Sequence, residues 1–302
     1  MGVLLLCPAH AAYAAVWTVT SAADEGTQGT LWYAVTYAAA GDTITFAPNV
    51  TQIELTDTLT LKKNLNILGP CVLTLKASWT GPKIFDVWAP AVVTLSDLTV
   101  SGGSNGAIVN RNGSTLTLTR CTLQQNTSEY SGGAIVNQVG ATLNMTDCTL
   151  NGNSCTKYGG GAVGNAGVLS MTGCTLAGNT SKSMGGALYT GGTGHVTLTG
   201  CTLTYKTAAA GGGLYAEGYC SLSGCTVRGN TPDEIAGGYI SDGTNTIGTA
   251  PNRQATAFSG YSGEKEPEPR SIVGDADVAD VKTALANPQS GLYAVIEQAL
   301  AA

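Results

Sequence analysis

The sequence predicts an all-β fold, a single-stranded parallel β-helix with one repeat per coil. Three observations predict it. A cysteine recurs at Cys121, Cys148, Cys174, Cys201 and Cys225, at spacings of 27, 26, 27 and 24 residues, each followed by Thr and then Leu or Val. Leu98 holds the same place one repeat earlier. Around this anchor the columns stay apolar. Three residues before it stand Leu95, Leu118, Met145, Met171, Leu198 and Leu222, and five before it Val93, Leu116, Leu143, Leu169, Val196 and Cys220. Finally, a Gly-Gly block followed by a short apolar run recurs in step, at Gly132–Ile135, Gly160–Val163, Gly185–Leu188, Gly211–Leu214 and Gly237–Ile240.

Polar residues alternate with the apolar columns, the pattern of a half-buried strand. The paired glycines suit a tight corner, and the run after them reads as a second strand. Segments this short cannot bury an apolar face alone. They must stack on their neighbours, and stacking puts equivalent residues above one another about 4.8 Å apart. A helical reading fails because the alternation has period two and Gly, Thr and Asn are poor in helix interiors.

Residues 1–15 end in Ala12-Tyr-Ala14-Ala15 after a short apolar run, like the end of a secretory signal peptide. Residues 16–50 break the repeat and read as an N-terminal cap. Trp17–Thr20 is a strand, Leu31–Ala40 a short helix with Thr30 as N-cap and Gly41 closing it, and Thr43–Phe46 a further strand. A solenoid must close its open end, and an amphipathic helix does so. Residues 51–248 are the coils, irregular at first, with Ile53, Leu55, Leu59, Leu61, Leu65, Ile67, Val72, Leu73 and Leu75 facing inward and an excursion at 79–90. Residues 249–273, rich in proline and charge, read as a linker. Residues 274–302 carry Val278, Val281, Leu285, Leu292, Val295, Ile296 and Leu300 at helical spacing and read as a partly helical tail.

Composition narrows the function class. Charged residues make up 11% of the chain, against about 25% in typical proteins. The net charge is −6 and no basic stripe exists, which argues against nucleic acid as a partner. No apolar run is long enough for a transmembrane helix. The nine cysteines do not read as a disulfide framework, because side chains stacked in register point the same way. The anchor column reads as packed free thiols, Cys71 as packed too, and Cys155 and Cys7 as the exposed ones.

Several runs carry a family pattern. Val19-Thr-Ser-Ala-Ala-Asp-Glu25, Ala40-Gly-Asp-Thr-Ile-Thr-Phe46, Asn66-Ile-Leu-Gly-Pro70 and Leu95-Ser-Asp-Leu-Thr-Val100 resemble the start of bacterial secreted right-handed, pectin-lyase-like parallel β-helix proteins. The later Gly-Gly-Ala-Ile and Leu-x-x-Asn blocks resemble the repeats of polymorphic outer-membrane proteins and related surface adhesins, with Leu or Val here in place of the usual aromatic. The resemblance implies a secreted or surface-exposed bacterial protein acting in adhesion or as an envelope spacer. A glycan or a host or cell-surface molecule would be its ligand, and the chain would act as a monomer. The rival class on this fold is a polysaccharide lyase or glycoside hydrolase.

Asp97 and Asp147 share a column with Arg120 between them and read as a solvated Asp-Arg-Asp ladder. Asp233-Glu234 follows Pro232 and reads as a turn. His195, without an evident partner, reads as a corner residue. Asp275, Asp277 and Asp280 lack the glycine and glutamate of a calcium loop and read as helix N-terminal acids. No catalytic residue, metal or cofactor is assigned. Asn126, Asn153, Asn179 and Asn230 read as a stacked amide ladder, as do Asn110, Asn137 and Asn165 with Thr190. The remaining regularity faces outward: Thr94 and Ser96, Thr117 and Thr119, Asn144 and Thr146, Ser170 and Thr172, Thr197 and Thr199, Ser221 and Ser223. This two-column array of short polar side chains is the candidate binding face, for a glycan or, as a further alternative, for ice. Tyr189 and Tyr215 fall one coil apart near a corner.

Overall fold

The computed structural model describes residues 14–78 and 83–248. The expected signal segment up to Tyr13, the linker and the helical tail lie outside the described residues, as do Cys7 and the three tail aspartates. The chain winds through three parallel sheets of ten, nine and eight strands, with a three-stranded ribbon between the second and third. One turn shows the order. Thr115–Thr119 lies in the first sheet, Thr122–Gln124 in the second, Thr127–Ser128 in the ribbon and Ile135–Asn137 in the third. The next first-sheet strand, Thr142–Thr146, pairs with Thr115–Thr119 residue for residue, so Leu116 lies beside Leu143 and Leu118 beside Met145. The expected apolar columns are therefore true columns, and all of them are buried.

The corners explain the glycines. After the six first-sheet strands from Val92–Ser96 to Tyr219–Ser223 one residue turns into the left-handed region, at Asp97, Arg120, Asp147, Gly173, Gly200 and Gly224. At the Gly-Gly corner Gly132 has φ +59°, and a Cβ on Gly133 would overlap the carbonyl oxygen of Gly161 in the next turn. One glycine supplies the angle and the other the close approach.

The cap's two strands form as expected, and Val16–Val19 pairs with Thr43–Phe46 at the start of the first sheet. Four expectations need correction. Phe85–Val87, inside the expected excursion, is a regular third-sheet strand between Leu59–Leu61 and Ile108–Asn110. The helix runs Leu31–Tyr37 and ends at Ala38, not at Gly41, although Thr30 does accept the Tyr33 N–H as N-cap. Val72 is 63% exposed, because Cys71 before it has φ +62° and turns the chain outward. Gly237–Ile240 is not a fifth corner block. Ile235–Gly237 pairs with Leu214–Ala216, and Ile240 already pairs with Ser221 in the first sheet. Asp233 takes the part of the missing glycine corner by accepting the N–H groups of Gly211 and Gly212.

Both amide ladders form. Asn126 Nδ2 donates to Asn153 Oδ1, and Asn153 Nδ2 to Asn179 Oδ1, each at 3.0 Å. Each of these nitrogens also donates to a backbone carbonyl of the preceding turn, Val100 and Leu123 respectively. In the other ladder Asn110 donates to Asn137 and Asn137 to Asn165 at 2.8 Å, and Asn165 donates to Thr190 Oγ1. All seven asparagines, Asn230 included, are buried.

Two predictions follow from these bonds. Asn153→Ala strands the partners of a buried amide, at about 1–3 kcal/mol for each group left unpaired. A loss of about 3 kcal/mol in denaturant unfolding is expected, while the exposed Asn151→Ala on the same turn should stay within about 0.5 kcal/mol. Equal effects of the two would refute the ladder's role. Asp42, at the foot of the cap, accepts the Ala15 N–H at 2.7 Å and the Trp17 indole and Ala39 N–H at 2.8 Å. These bonds, the Ala15 one foremost, hold its carboxyl below the ordinary range. Its contribution is therefore present above about pH 4 and lost as pH falls through the lower folded value. Asp42→Asn should flatten the acid limb of a stability–pH profile, and superimposable limbs would count against this.

Candidate functional site

The first sheet's outer face is where the sequence reading placed a binding surface. The backbone register puts the expected residues in two straight columns. Thr94, Thr117, Asn144, Ser170, Thr197 and Ser221 form one, and Ser96, Thr119, Thr146, Thr172, Thr199 and Ser223 the other. Strand geometry sets the grid at about 4.8 Å between turns and about 6.6 Å between columns. Most of these residues are half-buried or exposed. Ser96 is buried, because Gly69 and Cys71 donate to the backbone at Ser96 and Asp97 and draw their turn against it. Ser223 is engaged by Asp242. Among the described residues, the side chains of Thr94, Thr117, Thr119, Asn144, Thr146, Ser170, Thr172, Thr197 and Thr199 make no hydrogen bond, so their side-chain donors and acceptors are open to a ligand.

A third outward column runs beside these two: Val92, Thr115, Thr142, Val168, His195 and Tyr219. His195 is not solitary, as its ring stacks on Tyr219 with centroids 5.5 Å apart. The sequence reading missed this column because it counted outward positions from the anchor and stopped one short of the strand's start.

The third sheet carries a different surface. Tyr189 and Tyr215 stack at 6.1 Å, and Tyr189 donates from its hydroxyl to Glu217. Burial, with Glu217 beside it, pushes the Tyr189 phenol up. Tyr130 and Tyr158 stack at 6.0 Å, and the Lys157 ammonium sits 4.8 Å over Tyr130. Trp88 carries Arg111 over its ring at 4.2 Å. Rings stacked turn upon turn turn their faces to each other and show a ligand mainly edges and hydroxyls, so these stacks serve packing first.

The carboxylates are engaged one at a time. Arg111 binds Asp86 and Arg120 binds Asp97 through two bonds each, of 2.6–2.8 Å. The Arg120 guanidinium holds the Asp97 carboxyl below its usual range. Lys157 pairs with Glu129, and Asp24 accepts from Thr56. Of the expected Asp-Arg-Asp ladder, the Arg120–Asp97 half is a close pair, and Asp147 adds a weaker attraction to Arg120. Among the described residues no three His, Cys, Asp or Glu side chains converge as a metal site, and no helix is long and apolar enough to cross a membrane.

Cys155, Cys71 and Lys206 depart from what the sequence suggested. Cys155 is buried and donates to the Tyr130 carbonyl, whereas Cys71 is the exposed thiol, 3.6 Å from Asp97 Oδ1. Glu234, in the turn after Pro232, is buried. Lys206 occupies the slot five residues after Cys201, where neighbouring turns have the ladder asparagines, and it is 1% exposed. Counting five residues from each anchor cysteine would have found it.

The geometry matches what comparison with known proteins shows. Residues 84–252, more than half of the chain, match the family described as the right handed beta helix region, and the chain belongs to that family. Among solved structures, ORF18 of Geobacillus virus E2 is similar at 13% identity with a TM-score of 0.43, over 74% of this chain and 52% of that one. The chain thus spans about half that protein's length. No curated protein matches the sequence.

The thiols give a direct check on the packing. Of the eight described cysteines, Cys71 alone is exposed. In the anchor column each thiol donates to the carbonyl two residues before it, from Cys121 to Thr119 through Cys225 to Ser223, at 3.3–3.5 Å. A thiol reagent should label Cys71 in the native protein and reach the column only after denaturation. Native labelling of Cys148 or Cys174 would overturn the buried column.

Proposed function

We propose that the protein is a non-catalytic, secreted or cell-surface β-helix that binds an extended, repeating ligand, a glycan chain, along the outer face of its first sheet, in an adhesive or envelope role. One observation carries this reading: side-chain hydroxyls and an amide stand in register over six turns with their hydrogen bonds unspent. A polymer with its own repeat meets the same donors and acceptors at each step, and many weak contacts add without any one being strong. The stacked His195–Tyr219 pair at the edge of the face presents ring edges and a phenol hydroxyl beside the Thr and Ser hydroxyls. Asp86, Asp97 and Glu129 are each held by one cation, which favours binding over glycosidic cleavage, a reaction that needs two acids flanking one bond.

The test is a glycan-array screen of the full chain, followed by the same polysaccharides in a depolymerisation assay. The expected result is binding without cleavage. Thr119→Lys and Thr172→Lys, which change the middle of the face and nothing inside, should weaken binding about tenfold or more, equivalent to about 1.4 kcal/mol. Cleavage of any bound polysaccharide, or unchanged binding by both variants, would refute the reading.

A further inference from the structure

Three departures from the interior columns meet at one place. Lys206 stands in the amide ladder. Glu234 stands in the third-sheet column that holds Ala107, Ala134, Ala162 and Ala187 in earlier turns, all fully buried. Between Ala187 and Glu234 that column holds Gly213, where a Cβ would lie 2.9 Å from Asn230 Nδ2. The lysine, the glutamate and the vacated space all border Asn230.

The ladder's own repeat locates the lysine amine. In earlier turns the nitrogen that donates to the preceding turn's carbonyl, such as Asn153 Nδ2 on Leu123 O, is also 3.0 Å from the next asparagine's Oδ1. Lys206 Nζ donates to Leu176 O at 2.6 Å, the equivalent carbonyl two turns on, and to Thr204 O. The amine thus lies in the ladder column whose next member is Asn230, the amide that accepts the Lys206 backbone N–H, and it feels the charge of Glu234. That amide is fixed on three sides. Its Oδ1 accepts the Lys206 backbone N–H at 3.2 Å, and its Nδ2 donates to Leu203 O at 3.1 Å and to Glu234 Oε2 at 2.6 Å.

We propose that Lys206, Asn230 and Glu234 form an intramolecular isopeptide site, in which the lysine amine condenses with the asparagine carboxamide. Lys206 Nζ attacks Asn230 Cγ, a C–N bond forms, the bond from Cγ to Nδ2 breaks, and ammonia leaves. The proton lost by Nζ ends on the departing nitrogen, and the Glu234 carboxylate, already bonded to that nitrogen, carries it. No oxidant or cofactor enters. Burial favours the attack. It pulls the Lys206 ammonium down to about 6, against the pull of Glu234, so at neutral pH the amine carries a free lone pair. The product ties two successive turns covalently across 24 residues at the C-terminal end of the described solenoid.

The experiment is peptide mapping by mass spectrometry of the full chain, denatured and digested after native purification. A branched peptide joining Lys206 to Asn230, lighter by one ammonia than its two linear parts, is expected. Lys206→Asn, which restores the ladder residue, should lose the branched peptide while remaining folded. Glu234→Gln should lose it too. Linear Lys206 and Asn230 peptides at full mass in the wild-type protein would overturn the proposal, because a purely structural ladder leaves both side chains intact. A branched peptide undiminished in Glu234→Gln would overturn the role given to that carboxylate.

Discussion

Every turn of this solenoid is held by its neighbours and not by itself. The first-sheet strand Thr115–Thr119 has its partners in the turns on either side. The interior amides repeat the arrangement, Asn153 donating back to Leu123 O and on to Asn179 Oδ1. Register is therefore the controlling constraint. A slip of one residue would move Leu118 and Leu116 to the outside and break the alignment of the buried polar column, which could find no water to replace it. The apolar columns and the amide ladders enforce the same register by different means, one by burial and one by direction.

This constraint explains what could be read from the sequence. Residues that repeat because their neighbours repeat are visible as columns, so the apolar columns, the anchor thiols, four of the Gly-Gly corners and both amide ladders were legible, while the break of each first strand at the anchor into two sheets was not. What was not legible is whatever departs from the repeat. Val72 faces out and Cys71 is exposed because a left-handed residue turns the chain there, and a cysteine offers no sequence signal for φ +62°. The cap was set apart because its strands lack the repeat's motif, yet backbone pairing with Thr43–Phe46 demands only an extended segment. On the outer face, the two polar columns were legible from alternation. The His195–Tyr219 stack was not, since Val, Thr, His and Tyr share no chemical type and only the pairing register reveals them as one column.

The same logic separates structure from function. Interior columns are constrained turn by turn, and a substitution there is answered by the turns above and below. The outer face of the first sheet has no such neighbour, and yet short hydroxyl side chains persist across it. β-Propensity favours Thr but has no preference for the Ser and Asn that alternate with it at Asn144, Ser170 and Ser221. Their common property is a small polar group held at a fixed height on a rigid grid, which is the property a repeating ligand would use.

The last turns show what happens when the neighbour runs out. In the ladder the backbone N–H is received by the next turn's amide oxygen wherever that turn carries an asparagine: Asn126 by Asn153, Asn153 by Asn179, Lys206 by Asn230. Asn230 has no successor in the ladder. Glu234, four residues on, bends inward and accepts the N–H groups of Gly229 and Asn230 with its two oxygens. A carboxylate is well suited to this because it accepts without donating, and so ends a chain of donors that an amide would only extend. The cost is a buried carboxylate, offset by the N–H groups it accepts, while Lys206 Nζ takes over the carbonyl contact of the asparagine it replaces. The two residues that break the columns thus answer a single physical problem, the termination of a polar ladder inside an apolar core. The same solution leaves an amine, an amide and a carboxylate together in a place without water.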